Sequence, residues 1–347
     1  MNKTREQNIE VLIQQGRKWM ALQGKPLTTE RQYLHFVRRF LRFTYSQPRD
    51  LTSEKKFENW LTHLVLDCDV AESTQSVAFN AVCWFYKNVL NRPMQKVDAL
   101  RACKPERVRT ALPIQDVMRL LDDVRDVSGY PTRLVTRLLY SCGLRLSDAV
   151  NLRVKDIVFG RNEIIIRGGK GKKDRVIGLP QDLIVPLQRQ IVVAHQKFEQ
   201  DAHNRIPIQI DHCLGGKYPE LPWSWHWAWV FPQHFPCAHP RTRQIVRYRM
   251  PHGKVQQAVR ESRRRLNLDP ATTPHVLRHS FATHLLDGGV NVKALQEHMG
   301  HTDPRTTMGY CHADAKSVPD PVALMARRQA TVFVPELQPA RIGFQTA

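Results

Sequence analysis

The sequence predicts a mainly α-helical chain in two domains, with a small β-sheet built on one hairpin. Three observations lead there. Apolar residues recur at helical spacing through residues 6–90 and again from about 112 onward. Two β-rich runs, 162–168 (NEIIIRG) and 175–179 (RVIGL), flank a loop rich in glycine and lysine at 169–174. Between the helical regions, periodicity fades over 91–111 while basic residues and prolines accumulate. At 347 residues the chain is long enough for each domain to bury its own core, so neither disulfides nor a structural metal is needed to hold it.

The first domain, 1–90, reads as four helices. Ile9, Leu12, Ile13 and Trp19 mark the first apolar stripe. In 29–45, Tyr33, Phe36, Val37, Phe40 and Leu41 share a stripe that is read as core. Arg38, Arg39 and Arg42 stand beside it as candidates for phosphate contact. Pro48 and Asp50 end this run, and a third helix follows at 53–67 through Phe57, Trp60, Leu61 and Leu64. Ser53 is its expected N-cap, with Lys56 where a capping box would have glutamate. The fourth helix, 73–90, is marked by Val77, Val82, Phe85 and Val89.

Residues 91–111 carry Arg92, Lys96, Arg101, Lys104, Arg107 and Arg109 with Pro93 and Pro105, and read as a basic interdomain linker. Such a segment serves equally as a strap laid along DNA and as a solvated tether. The second domain, 112–330, opens with helices at 114–124 and 131–142, the latter ended by Gly143. Leu144-Arg145-Leu146-Ser147-Asp148 leads into a helix through Leu152, and Asp156-Ile157 opens the β-structure. A long helix follows the hairpin at 180–202. Residues 203–253 then break the pattern as an insert, with Trp223, Trp225, Trp227 and Trp229 in seven positions and Arg241, Arg243, Arg247 and Arg249 behind them. Aromatics interleaved with arginines suit stacking on unpaired bases; they suit equally the sealing of an insert onto its own domain. A helix at 254–266 precedes the stretch 274–312, and 331–347 is a C-terminal tail.

Lys and Arg outnumber Asp and Glu by 52 to 32, a formal charge of +20 that favours a polyanionic partner, because contacts with phosphates release condensed counterions. Seven cysteines, scattered singly, argue against a disulfide framework and for a reducing, cytoplasmic setting. No run is long and apolar enough to span a membrane. A P-loop, GxGxxG after a strand, GxSxG and HExxH are all missing from the sequence. His234, Cys237 and His239 form no zinc site by spacing, since no second ligand pair stands near them.

The chemistry concentrates in 274–312 (PHVLRHSFATHLLDGGVNVKALQEHMGHTDPRTTMGYCH). His275 and Arg278 are three apart, one helical turn. Gly288-Gly289 and Gly300 then read as helix stops before His301 and the tyrosine at 310. Thr302 or Asp303 followed by Pro304 reads as the start of a short separate helix that carries Tyr310. Cations, imidazoles and a phenol in one stretch point to chemistry on a phosphate.

Arg145, Lys170, His275, Arg278, His301 and Tyr310, in the blocks CGLRLSDAVNLRVKDI, GGKGKKDRVIGLP, HVLRHSFATHLL and MGHTDPRTTMGYCH, resemble the tyrosine recombinase family of site-specific DNA recombinases. The blocks stand in the family's order and cover most of 112–312. The resemblance implies a helical, SAM-like core-binding domain and an α+β catalytic domain that form a C-shaped clamp around DNA. It implies strand cleavage and rejoining through a 3′-phosphotyrosyl link, four protomers in the synaptic complex, and no metal or nucleotide cofactor. Tyr310 is then the nucleophile, Arg145 and Arg278 bind the non-bridging oxygens, His301 adds a hydrogen bond to them, and His275 is the candidate base. Lys170 is the candidate acid for the leaving 5′-oxygen, ahead of its neighbours Lys172 and Lys173. Asp148 orients Arg145 or His275 from the position where many relatives carry glutamate.

Within the family the chain looks like an integron integrase, because KYPELPWSWHWAWVFP and VRYRM resemble the insertion of that branch, and SVPDPVALM its C-terminal segment. That likeness implies exchange of gene cassettes, with folded single-stranded sites recognised through extrahelical bases. Trp227 is the candidate for stacking on one such base, with Trp225 and Trp229 as alternatives, and Tyr248 and Arg249 for contacting another. Tyr248-Arg249 stands where the branch commonly has a His-His pair. Two alternatives share the signature: a chromosome- or phage-type recombinase acting on duplex sites, and a catalytically silent DNA-binding protein.

Overall fold

The computed structural model describes residues 3–95, 97, 111–167, 174–210 and 212–300. The chain divides into two compact units, 1–108 and 109–347. Lys170, His301, Tyr310, the tip of the hairpin, the 302–304 helix start and the C-terminal tail lie outside the described residues, as does most of the basic 91–111 segment.

The first unit contains α1 (Lys3–Leu22), α2 (Leu27–Thr44), α3 (Ser53–Leu66) and α4 (Glu72–Asn88), with α2 packed between α1 and α4. Its core is aromatic: the Phe40 ring lies 5.4 Å from Phe57 and 5.3 Å from Trp60, all three sealed from solvent. Each such contact adds about 0.5–1.5 kcal/mol beyond the burial itself. Trp19, expected on the α1 stripe, is instead 44% exposed. At about 100° per residue it falls off the line of Ile9 and Ile13, whereas Met20 continues that line and is fully buried. The N-cap of α3 is Thr52, whose hydroxyl accepts from the Lys55 amide at 3.2 Å, so Ser53 is the first helical residue rather than the cap. Arg38 and Arg42, expected to meet phosphates, are paired here with Glu10 and Glu6 of α1.

The second unit begins with α5 (Ile114–Asp123), α6 (Thr132–Ser141) and α7 (Leu146–Val150). An antiparallel sheet in the order β1 (Ile157–Val158), β2 (Glu163–Ile166), β3 (Arg175–Gly178) follows, with Ile164 opposite Ile177. Ile164, Ile166 and Ile177 are buried, so the two-residue period turns one face of the hairpin onto the helices. The helix expected through Leu152 stops at Val150 because the next residues pair elsewhere: Leu152 O accepts from Val230 N, and Val154 N donates to Ala228 O, both at 3.0 Å.

After α8 (Gln181–His203) comes the insert, with α9 (His212–Lys217), 3-10 turns at Leu221–Trp223 and Trp225–Trp227, and a two-stranded ribbon of β4 (Cys237–Ala238) and β5 (Ile245–Val246). It is anchored by a buried ion pair. Arg247 Nε donates to Asp201 Oδ2 at 2.6 Å, and its Nη1 donates to the Gln233 and His234 carbonyls at 2.8 Å each. The unit closes with α10 (His252–Arg265), α11 (Pro274–Asp287) and α12 (Val292–Met299), whose C-cap is Gly300. No helix among the described residues is long and apolar enough to cross a membrane.

Candidate active site

The loop between α6 and α7 is the floor of the site. Gly143 turns it with φ +60°, and a Cβ there would sit 2.4 Å from the Phe281 ring of α11, so the position demands glycine for both its conformation and its closeness. Arg145 follows as the N-cap of α7, its backbone extended, and its Nη1 lies 3.7 Å from Asp148 Oδ2. Nη1 is buried and has no hydrogen-bond partner among the described residues.

Arg278, in the second turn of α11, is 1% exposed. Its Nη1 donates to Gly143 O at 2.5 Å and its Nη2 to Met299 O at 2.7 Å. One guanidinium thus joins the loop that carries Arg145 to the end of α12, directly before His301 in sequence. His275, one turn earlier, is exposed. The two share a helix as their spacing predicts, but one stands in solvent and the other in the interior. Around Arg278 the histidines are main-chain struts. His298 Nε2 donates to Cys142 O at 3.0 Å, and burial, then the charges of Arg175 and Arg278, pushes its pKa down, so it is neutral at pH 7. His284 accepts the Tyr140 hydroxyl at 2.9 Å and donates to Leu112 O at 2.8 Å. Burial pushes the Cys142 thiol up to about 12, which leaves it a packing group.

Sequence reasoning missed Arg175. Its Nη2 donates to Asp148 Oδ2 at 2.8 Å and its Nε to His298 O at 3.0 Å. The one available signal was an arginine opening the strand after the lysine loop, which a basic chain makes easy to pass over.

The insert residues form a second group. Trp229 is buried, with its Nε1 donating to Arg247 O at 3.2 Å and the Arg153 guanidinium 3.1 Å from its ring centroid. So enclosed a ring offers no face to a base, and here the sealing reading describes Trp229. Trp227 is half-buried, with Lys155 Nζ 2.8 Å from its ring centroid. Desolvation lowers the Lys155 pKa to about 8. Trp225, also half-buried, packs on His195 and Phe198 of α8. Tyr248 stacks parallel to His239 at 6.2 Å, and its hydroxyl is buried without a hydrogen-bond partner among the described residues. Arg249 is half-buried and its pKa is lowered by desolvation. His234 Nε2 donates to Ser128 O, and His239 Nδ1 accepts from the amides of Arg241 and Thr242, so both imidazoles brace the insert's main chain.

Comparison with known proteins bears on what this arrangement does. Residues 111–317 match the phage integrase family, and residues 12–96 match the phage integrase N-terminal SAM-like domain. An "Integrase/recombinase" from Escherichia coli is 35% identical over 288 residues, covering 82% of this chain and 84% of that protein. "Tyrosine recombinase XerA" of Pyrococcus furiosus is 27% identical over 90% of this chain and 92% of its own length. Among solved structures, the XerH site-specific recombinase bound to palindromic difH substrate superposes with a TM-score of 0.56 at 17% identity, over 88% of this chain and 80% of that one. That likeness is one of fold.

Proposed function

Since the chain belongs to the phage integrase family of tyrosine recombinases, which are site-specific DNA recombinases, we propose that it is an integron integrase that inserts and excises gene cassettes through attack of Tyr310 on a DNA phosphate. The observation that carries the phosphate chemistry is the buried Arg145 Nη1, which lacks a hydrogen-bond partner among the described residues. A buried donor left unsatisfied costs about 1–3 kcal/mol, and an anionic oxygen is the partner that recovers it.

The reaction follows from the residue chemistry. A DNA phosphodiester repels nucleophiles and has a poor leaving group, so the site must neutralise a pentacoordinate phosphorane and protonate the departing 5′-oxygen. Arg145 and Arg278 hold non-bridging oxygens with planar forks that stay charged, Arg278 by turning its Nη groups from Gly143 O and Met299 O, which they meet in this structure, and His301 adds a donor. A free phenol has a pKa near 10, so Tyr310 is activated by these cations and by His275 as base. Lys170 protonates the leaving oxygen. The phosphorus–oxygen bond to the 5′ side breaks as the 3′-phosphotyrosyl bond forms, which conserves the bond energy and dispenses with a metal or nucleotide cofactor. Exchange between two sites needs four such cuts, hence four protomers.

The integron reading rests on the 203–253 insert, whose tryptophan-rich turns pack on α8 and leave Trp227 and Trp225 partly open. The likeness to a tyrosine recombinase over 90% of the chain is shared by a second reading, a chromosome- or phage-type recombinase acting on duplex sites. A nicked suicide substrate tests the enzyme: wild type should form a covalent protein–DNA adduct and Tyr310→Phe none. No wild-type adduct, or an adduct that survives Tyr310→Phe, would falsify the assignment. Offering folded single strands and duplexes side by side separates the two readings. Trp227→Ala should weaken binding of the folded strand alone, and equal binding by this variant rules out the stacking role.

A further inference from the structure

We propose that Arg175 is a positioning residue of this reaction site, which fixes the Asp148–Arg145 pair against the end of α12 that leads into His301. The inference rests on the recombinase reading above. Arg175 opens β3, five residues after Lys170 in sequence, and its side chain is 10% exposed. Nε and Nη2 lie on one edge of the guanidinium plane and reach two acceptors from different segments: the His298 carbonyl at 3.0 Å and Asp148 Oδ2 at 2.8 Å. That same carboxylate oxygen lies 3.7 Å from Arg145 Nη1, so Arg175 is the nearer of the two arginines and sets where Asp148 points. Gly300 completes the fit. Its φ is +62°, and a Cβ on it would stand 3.0 Å from Arg175 Cδ and 3.2 Å from Nη1.

Three stretches that are far apart in sequence therefore meet on one planar side chain: the α7 turn with Arg145 and Asp148, the start of β3, and the main chain at 298–300. Arg278 joins the first and third of these from the other side, through Gly143 O and Met299 O. Each arginine braces the other's segments. Arg175 itself is held at both donors by protein acceptors, which distinguishes it from Arg145, whose Nη1 makes no hydrogen bond among the described residues and meets Asp148 only at ion-pair distance. A lysine is a poor substitute, since its ammonium is a point charge without the rigid fork that offers two separate nitrogens along one edge.

The test is single-turnover cleavage of the nicked suicide substrate at saturating protein, with binding measured separately by mobility shift. Arg175→Ala should cut the cleavage rate about 10–100-fold, the loss expected when a reacting group is misplaced by around an ångström, with binding changed by no more than about twofold. Arg175→Lys, which keeps the charge and folds more readily, should stay well below wild type. In a cycle with Asp148→Ala, the double variant should be little slower than the slower single one, because both changes release the same carboxylate. A cleavage rate for Arg175→Ala within about twofold of wild type, a defect confined to binding, full recovery by Arg175→Lys, or strict additivity with Asp148→Ala each overturns the positioning role. If wild type forms no adduct, the recombinase reading fails and takes this inference with it; a wild-type adduct with unimpaired Arg175 variants defeats the inference alone.

Discussion

Replacing Asp201 with alanine tests how the insert is held to its domain. Asp201 and Arg247 have side-chain exposures of 5% and 6%, and the carboxylate receives two of the guanidinium's nitrogens. Without Asp201 the cation stays in the interior with only the Gln233 and His234 carbonyls to face. Removing one partner of such a buried pair costs about 3–5 kcal/mol, because the charge left behind has lost both water and its counter-ion. In a unit of this size each kcal/mol lowers the melting temperature by about 2–4 °C, so the transition of the 109–347 unit should fall by about 6–20 °C. Asp201→Asn keeps an acceptor and should lose less. Differential scanning calorimetry follows this transition. The shift should be nearly the same in low and high salt, since buried pairs are poorly screened. A loss below about 1 kcal/mol would refute the reasoning, because that is the worth of a solvent-exposed pair.

Gly143→Ala should be among the most damaging single-methyl additions in the chain: it meets the Phe281 ring at 2.4 Å in a left-handed backbone, and its carbonyl serves Arg278. Soluble yield and the melting temperature report it, and a wild-type melting temperature would show that the loop can shift. Thiol labelling under native conditions should modify exposed Cys68 quickly and leave Cys142, with its pKa near 12, unmodified until denaturant is added. His298 should make stability depend on pH. Burial holds its folded pKa below the ordinary 6.5, so as pH falls through that value the unfolded chain takes up a proton that the folded one refuses, and stability declines. Urea titrations at pH 7.5 and 5.5 should show the loss, and His298→Gln, which can still donate to Cys142 O, should reduce the slope.

Much of the helical framework was legible from spacing. Phe36, Val37 and Phe40 are buried where the stripe of α2 puts them, and the isoleucines of the β2–β3 hairpin alternate as a sheet facing helices must. The errors are local and physical. Trp19 lost its place to Met20 because ten residues of helix rotate it off the core line, and the α7 helix stopped early because the insert's main chain competes for Leu152 and Val154. Arg38 and Arg42 are a different case: spacing set them beside the stripe, and their pairing with Glu10 and Glu6 is a contact between helices that no pattern within α2 carries. At the site, the sequence marked His275 and Arg278 by spacing, and Arg145 and Asp148 by the family resemblance of their block, but passed over Arg175, whose meaning lies entirely in its two acceptors.

By itself the sequence determined the helical class, the basic surface that calls for a polyanion, and the family, because periodicity, net charge and motif order are properties of the chain read in one dimension. Only the tertiary structure decided which arginine meets which oxygen. It showed that Arg278 is walled in by Gly143 and Met299, that Trp229 is packed while Trp227 is half-open, and that Arg175 joins a strand, a helical turn and a helix end. Hydrogen bonds a few ångströms long between segments more than a hundred residues apart depend on how the chain closes on itself, and no local pattern carries that information.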